Sequence, residues 1–96
     1  MAEIRWTFEA EIWLQDIYEY IALDNPLAAE QVIDGIYNTA QILKDHPEIG
    51  HKYQTPEKEE VRILQYGHYR ITYAVLNDRI DILGVFHGAL EIDKYL

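Results

Sequence analysis

Tyr69-Arg70-Ile71-Thr72-Tyr73-Ala74-Val75-Leu76-Asn77-Asp78-Arg79-Ile80-Asp81-Ile82-Leu83-Gly84-Val85-Phe86-His87 reads as two strands joined by a tight turn. Side chains alternate faces along a strand, so Ile71, Tyr73 and Val75 share one side while Arg70, Thr72 and Ala74 share the other. The first set is the one to bury. Asn77-Asp78 suits a two-residue hairpin turn with positive φ, which pairs Leu76 with Arg79. That register sets Ile80, Ile82 and Phe86 opposite Val75, Tyr73 and Tyr69, so both strands agree on a core face.

Working upstream, residues 59 to 64 form a further strand, with the later two at about 68 to 76 and 79 to 87. A two-residue turn pairing Ile63 with Arg70 would send Arg62 into the core. A three-residue loop over 65 to 67, with Gly67 in its left-handed position, pairs Arg62 with Arg70 and is the one expected. The open face then presents Arg62, His68, Arg70 and His87, with His68 opposite His87. Like charges facing each other call for an anion: a loop carboxylate, a partner protein or a phosphate. The plainer reading leaves these groups solvated, with the arginines paired to Glu59, Glu60 or a helix carboxylate.

Further upstream the period changes from two to 3.6. Ala10, Trp13, Leu14, Ile17 and Ile21 form one helical stripe opposite Glu9, Glu11, Gln15, Asp16 and Glu19, with Thr7 as cap. Asn25-Pro26 starts a second helix with stripe Ala29, Val32, Ile33, Ile36, Ala40 and Leu43, ended by His46-Pro47. The short link makes an antiparallel helical hairpin. Glu3-Ile4-Arg5-Trp6 is a short first strand, and 47 to 58, with Pro47, Gly50 and Pro56, is a surface loop. The fold class expected is α+β: a strand, a helical hairpin, then a three-stranded antiparallel meander with the helices on one sheet face.

A length of 96 residues supports one domain, 1–96. No apolar run is long enough to cross a bilayer, and the N-terminus lacks the basic and apolar blocks of a secretory signal. With no cysteine there are no disulfides or thiolate metal sites, and a cytoplasmic protein is expected. The net charge of -9 opposes unspecific nucleic-acid binding. Residues 1 to 49 hold only Arg5 and Lys44 as bases against ten carboxylates, so an anion site belongs to the second half. His46 and His51 lack a third and fourth ligand nearby, and no metal or cofactor is expected. Trp6 and Trp13 read as packing aromatics. Tyr95, just past His87, could bring its hydroxyl to the open face, or simply anchor the terminus.

Several stretches in this order resemble the ParE/RelE family of type II toxin–antitoxin toxins, also known as plasmid stabilisation proteins, from Trp6 to about Ala89. They are Ala10 through Ile21, Asn25-Pro26-Leu27-Ala28-Ala29, Pro47-Glu48-Ile49-Gly50, Val61-Arg62-Ile63-Leu64, Tyr69-Arg70-Ile71-Thr72-Tyr73, and Ile80 through Gly88. The resemblance implies a growth-inhibiting toxin silenced by an antitoxin whose C-terminal segment wraps it, as a homodimer or as a hetero-oligomer with that antitoxin. RelE-like members cut messenger RNA on the ribosome, and ParE-like members poison DNA gyrase. In a nuclease Arg62 and Arg70 would stabilise the phosphate and His87 would move the proton. The acidic charge, and Ala89-Leu90-Glu91 where family members often carry an arginine, favour the ParE-like branch. Arg62, His68, Arg70, His87 and Tyr95 are then contacts for antitoxin or target. A non-toxic interaction module is the remaining alternative.

Overall fold

The computed structural model describes residues 3–53 and 60–87. In chain order these are strand β1 (Glu3–Trp6), helices α1 (Phe8–Ala22) and α2 (Pro26–Gln41), a 3-10 turn (Ile42–Lys44), then strands β2 (His51–Tyr53), β3 (Glu60–Tyr66), β4 (Tyr69–Val75) and β5 (Arg79–His87). The expected α+β class holds. The sheet runs β1-β5-β4-β3-β2, with β1 parallel to β5 and the remaining pairs antiparallel.

Both helices start as their caps require. The Thr7 hydroxyl accepts from the Ala10 N–H at 3.2 Å and donates to the Ile82 carbonyl at 2.7 Å, which ties the start of α1 to β5. The Asn25 side chain accepts from Ala28 N–H at 3.1 Å, with Pro26 in the first turn. Ala10, Leu14, Ile36, Ala40 and Leu43 close on Ile71, Tyr73, Ile80, Ile82 and Val85, so one sheet face and the apolar stripes of both helices make the core. Tyr66 extends that packing over α2, where a Cβ at Gly35 would lie 1.9 Å from its hydroxyl oxygen. Only glycine admits this approach without the tyrosine moving.

Four local expectations are corrected. The segment expected as loop contains β2, which pairs His51, Lys52 and Tyr53 with Ile63, Arg62 and Val61. The turn before β4 is the two-residue Gly67-His68, not a loop over 65 to 67: Tyr66 pairs with Tyr69 and Gln65 with Arg70, so Arg62 faces Tyr73. Gly67 is left-handed as expected, at φ 58°, and a positive φ in the first turn position alone matches the twist of adjoining strands. The Asn77-Asp78 turn closes through a Leu76 N–H to Arg79 carbonyl bond of 2.9 Å, with neither turn residue at positive φ.

The fourth correction changes which side chains are neighbours. Tyr73 pairs with Ile82 but Thr72 pairs with Gly84, so Leu83 is an extra residue on β5, a bulge. One unpaired residue inverts the alternation that follows. Val85, not Phe86, enters the core opposite Ile71, and His87, not Phe86, stands opposite Tyr69. Phe86 instead pairs with Arg70 on the other face, where its ring lies over Gly84, whose missing Cβ would meet it at 2.9 Å.

Candidate functional site: a groove beside the first helix

β1 reaches only Ile82 of β5, and beyond that point α1 lies along the strand edge. Trp13 meets Phe86 there, with ring centroids 4.8 Å apart. Trp13, Asp16, Ile17 and Tyr20 follow the i, i+3, i+4, i+7 spacing that puts four side chains on one helical face. They form one wall of a groove of about 610 Å³ whose other wall is Tyr69, Val85 and His87. Tyr69 turns its edge to His87 at 90° and 5.6 Å, and His68 stacks on His87 at 6.2 Å and 21° from parallel. The Tyr69 hydroxyl is pushed up from its ordinary pKa, first by burial and then by neighbouring Tyr20.

The bulge delivers His87 to this groove. The sequence expectation of one open face carrying Arg62, His68, Arg70 and His87 is therefore corrected: Arg62 and His87 turn toward the helix side of the sheet, Arg70 toward the other, and His68 lies in the turn. His68 and His87 do meet, by stacking and not as ladder partners. Nor is the second face bare, since Val61, Thr72, Ala74, Asp81 and Phe86 on it are buried. Tyr95 lies outside the described residues, as do Lys58 and Glu59. His46 and His51 join no cluster of three or more His, Cys, Asp or Glu among the described residues.

Arg62 is held at a separate corner. Its Nε donates to Glu60 Oε2 at 2.6 Å, and its Nη1 donates to the Glu48 and Gly50 carbonyls at 3.1 and 2.9 Å. The Glu60 bond is the largest reason its pKa is raised further. Beside it the fully buried Tyr73 hydroxyl accepts from Gly50 N–H and donates to the Pro47 carbonyl, each at 2.9 Å. Burial raises the pKa of Tyr73, partly offset by the Gly50 N–H and by Arg62. The pairing of Arg62 with Glu60 is the plainer of the two roles that the sequence allowed.

Arg5 and Arg79 are held as well. Arg5 grips both oxygens of Asp81 at 3.0 and 2.9 Å, and Arg79 donates to the same carboxylate at 3.0 Å. This cluster fastens β1 to β5. Arg70 is the one arginine among the described residues without a carboxylate partner.

The profile of the ParE toxin of the type II toxin-antitoxin system, parDE, matches residues 4–91. The chain belongs to the ParE toxin family. A chain of the chromosomal ParDE TA system from P. aeruginosa shares the fold, with a TM-score of 0.73 and 23% identity over 91% of this chain and 96% of that one. No curated protein matches the sequence. Six of the eight large apolar side chains exposed among the described residues, Phe8, Ile12, Tyr18, Tyr20, Leu23 and Leu27, lie in an acidic region. Residues 8–41, the helical hairpin, hold seven carboxylates and no Lys, Arg or His. Among the described residues no helix is long and apolar enough to cross a membrane.

Sequence reasoning missed the groove. Its helical wall joins Asp16, expected on the polar face, to Trp13 and Ile17 of the apolar stripe, and its sheet wall depends on the bulge at Leu83, where the stretch Ile80-Asp81-Ile82-Leu83-Gly84-Val85 marks no obvious break except Gly84.

Proposed function

We propose that this chain is a growth-inhibiting toxin, kept silent by a cognate antitoxin, which acts by binding a protein target, DNA gyrase, and not by cleaving RNA. The observation carrying this reading is the placement of the three groups a nuclease would need together. Arg62 is engaged by Glu60 and two loop carbonyls, while Arg70 and His87 point to opposite sides of the sheet. No arginine pair brackets a phosphate beside His87. The overall charge of -9 adds long-range repulsion of a nucleic-acid backbone.

The antitoxin occupies the groove between α1 and β4–β5, with His68 and His87 at its rim, and reaches round to Arg70. The match to a toxin of the parDE type and the fold shared with a chain of a ParDE system support a dedicated partner. The exposed, aromatic character of the groove supports its location. The toxin works in the cytoplasm as a single domain over 1–96, where both its antitoxin and gyrase are found.

The test is to induce the chain alone in bacteria, then with the product of the adjacent gene. Growth should stop and then recover, with DNA damage and loss of gyrase supercoiling in the first case, and messages intact. His87→Ala should leave the toxicity in place, and Arg70→Glu should weaken the antitoxin complex more than Lys58→Glu. Codon-positioned message cleavage that disappears in His87→Ala would replace this reading by a ribosome-dependent endoribonuclease. Full growth at high expression would leave a non-toxic interaction module.

A further inference from the structure

We propose that the groove beside α1 is a receptor for a cationic side chain, an arginine of the antitoxin, held between the Asp16 carboxylate and the rings of Trp13, Tyr20 and Tyr69. This rests on the antitoxin reading above and adds the chemistry of the occupant. Among the described residues, three aromatic residues converge in the groove with two aliphatic ones, Ile17 and Val85, and a single carboxylate. Ring faces attract cations through their quadrupoles, and a guanidinium also stacks flat on them, which an ammonium does not. Asp16 is exposed and, among the described residues, makes no hydrogen bond or ion pair, so its oxygens are available for a bidentate fork.

Charge beyond the groove points the same way. The hairpin that supplies its helical wall carries Glu9, Glu11, Asp16, Glu19, Asp24, Glu30 and Asp34 with no base among residues 8–41. An acidic segment approaching here would meet repulsion along its length, and a basic one attraction. Among the described residues His87 is the only basic group on the lining. The aliphatic residues then take the apolar neighbours of the arginine, so the occupant is an apolar stretch with an arginine at its centre.

The probe is the capped tripeptide Leu-Arg-Leu, compared with Leu-citrulline-Leu, in which the guanidinium is replaced by an isosteric neutral urea. Binding is followed by NMR through the Trp13 indole N–H and the Tyr20 and Tyr69 ring signals. The arginine peptide should saturate these signals, the citrulline peptide should bind about tenfold more weakly or not at all, and Asp16→Asn should bring the two together. Glu30→Gln, on the other helix, serves as the control and should change little. Equal binding of both peptides, shifts that map elsewhere, or an Asp16→Asn chain that still prefers arginine would overturn the proposal. An antitoxin that rescues growth while the arginine peptide ignores the groove defeats this inference alone. A groove that takes the arginine peptide in a chain that never arrests growth defeats the toxin reading alone.

Discussion

Two corners of the molecule use the same kinds of side chain in opposite ways. Around Arg62 and Tyr73, a guanidinium, a carboxylate and a phenol are bonded to one another or to the backbone of the Pro47–Gly50 segment. Beside α1, Asp16 meets no partner among the described residues, and Tyr20 is 78% exposed. A polar group that is satisfied within its own chain gains little by binding another, because it must first give up what it has. The first corner therefore fixes structure, and the second is where a partner gains the most.

The largest separation between the two comes from Tyr73→Phe. It leaves the buried Gly50 N–H and the part-buried Pro47 carbonyl without their partner, and should cost about 2–4 kcal/mol in urea unfolding at little change in m. A loss below 0.5 kcal/mol would mean water replaces the hydroxyl and the corner is less committed than described. Next, Tyr20→Ala should weaken the antitoxin complex by about 2 kcal/mol, roughly thirtyfold, with thermal unfolding nearly unmoved. A fall in stability with unchanged affinity would exchange the roles of the two corners.

Asp81→Asn tests a third setting, where one carboxylate serves Arg5 and Arg79. Both arginines are half exposed and can find water, so a loss of about 1 kcal/mol is expected, read as a lowered denaturant midpoint that is less sensitive to salt than in the parent. The smallest effect is one of pH. Tyr73 is raised in the folded chain, so between its unfolded value near 10 and its folded value the unfolded state has lost the proton that the folded state keeps. Stability is complete below about pH 10 and falls as pH rises beyond it. Tyr73→Phe should flatten that alkaline slope, and a slope left intact would assign it to Tyr37 or Tyr69, whose hydroxyls are also raised.

The α+β class, both helix caps, the strand order from β3 to β5 and the left-handed Gly67 could be read from periodicity and turn chemistry. What misled was a sound rule applied at the wrong place. Excluding Arg62 from the helix side assumed that everything there is apolar. At β3 that side instead lies near the Pro47–Gly50 backbone, whose carbonyls receive the guanidinium. Local sequence does not reveal that a loop returns to that spot. The same holds for β2, three residues whose pairing with β3 is a long-range event. Of the described site residues singled out in the sequence, His87 alone lines the groove, and its face could not be placed without knowing where one residue falls out of the ladder.

That residue has a meaning for length as well as for shape. Because Leu83 stands outside the pairing, Ile82 and Gly84 already face consecutive residues of β4, Tyr73 and Thr72. Deleting it would leave a regular ladder in which Val85, Phe86 and His87 keep the partners they have now. A deletion at Ile80 or Val85 would instead slide the strand by one and exchange what the helices see for what they do not. Chains of this family that differ by one residue in β5 should therefore be aligned with the gap at this position; a gap placed beyond His87 instead would match each of Gly84, Val85, Phe86 and His87 to a residue of the opposite sheet face.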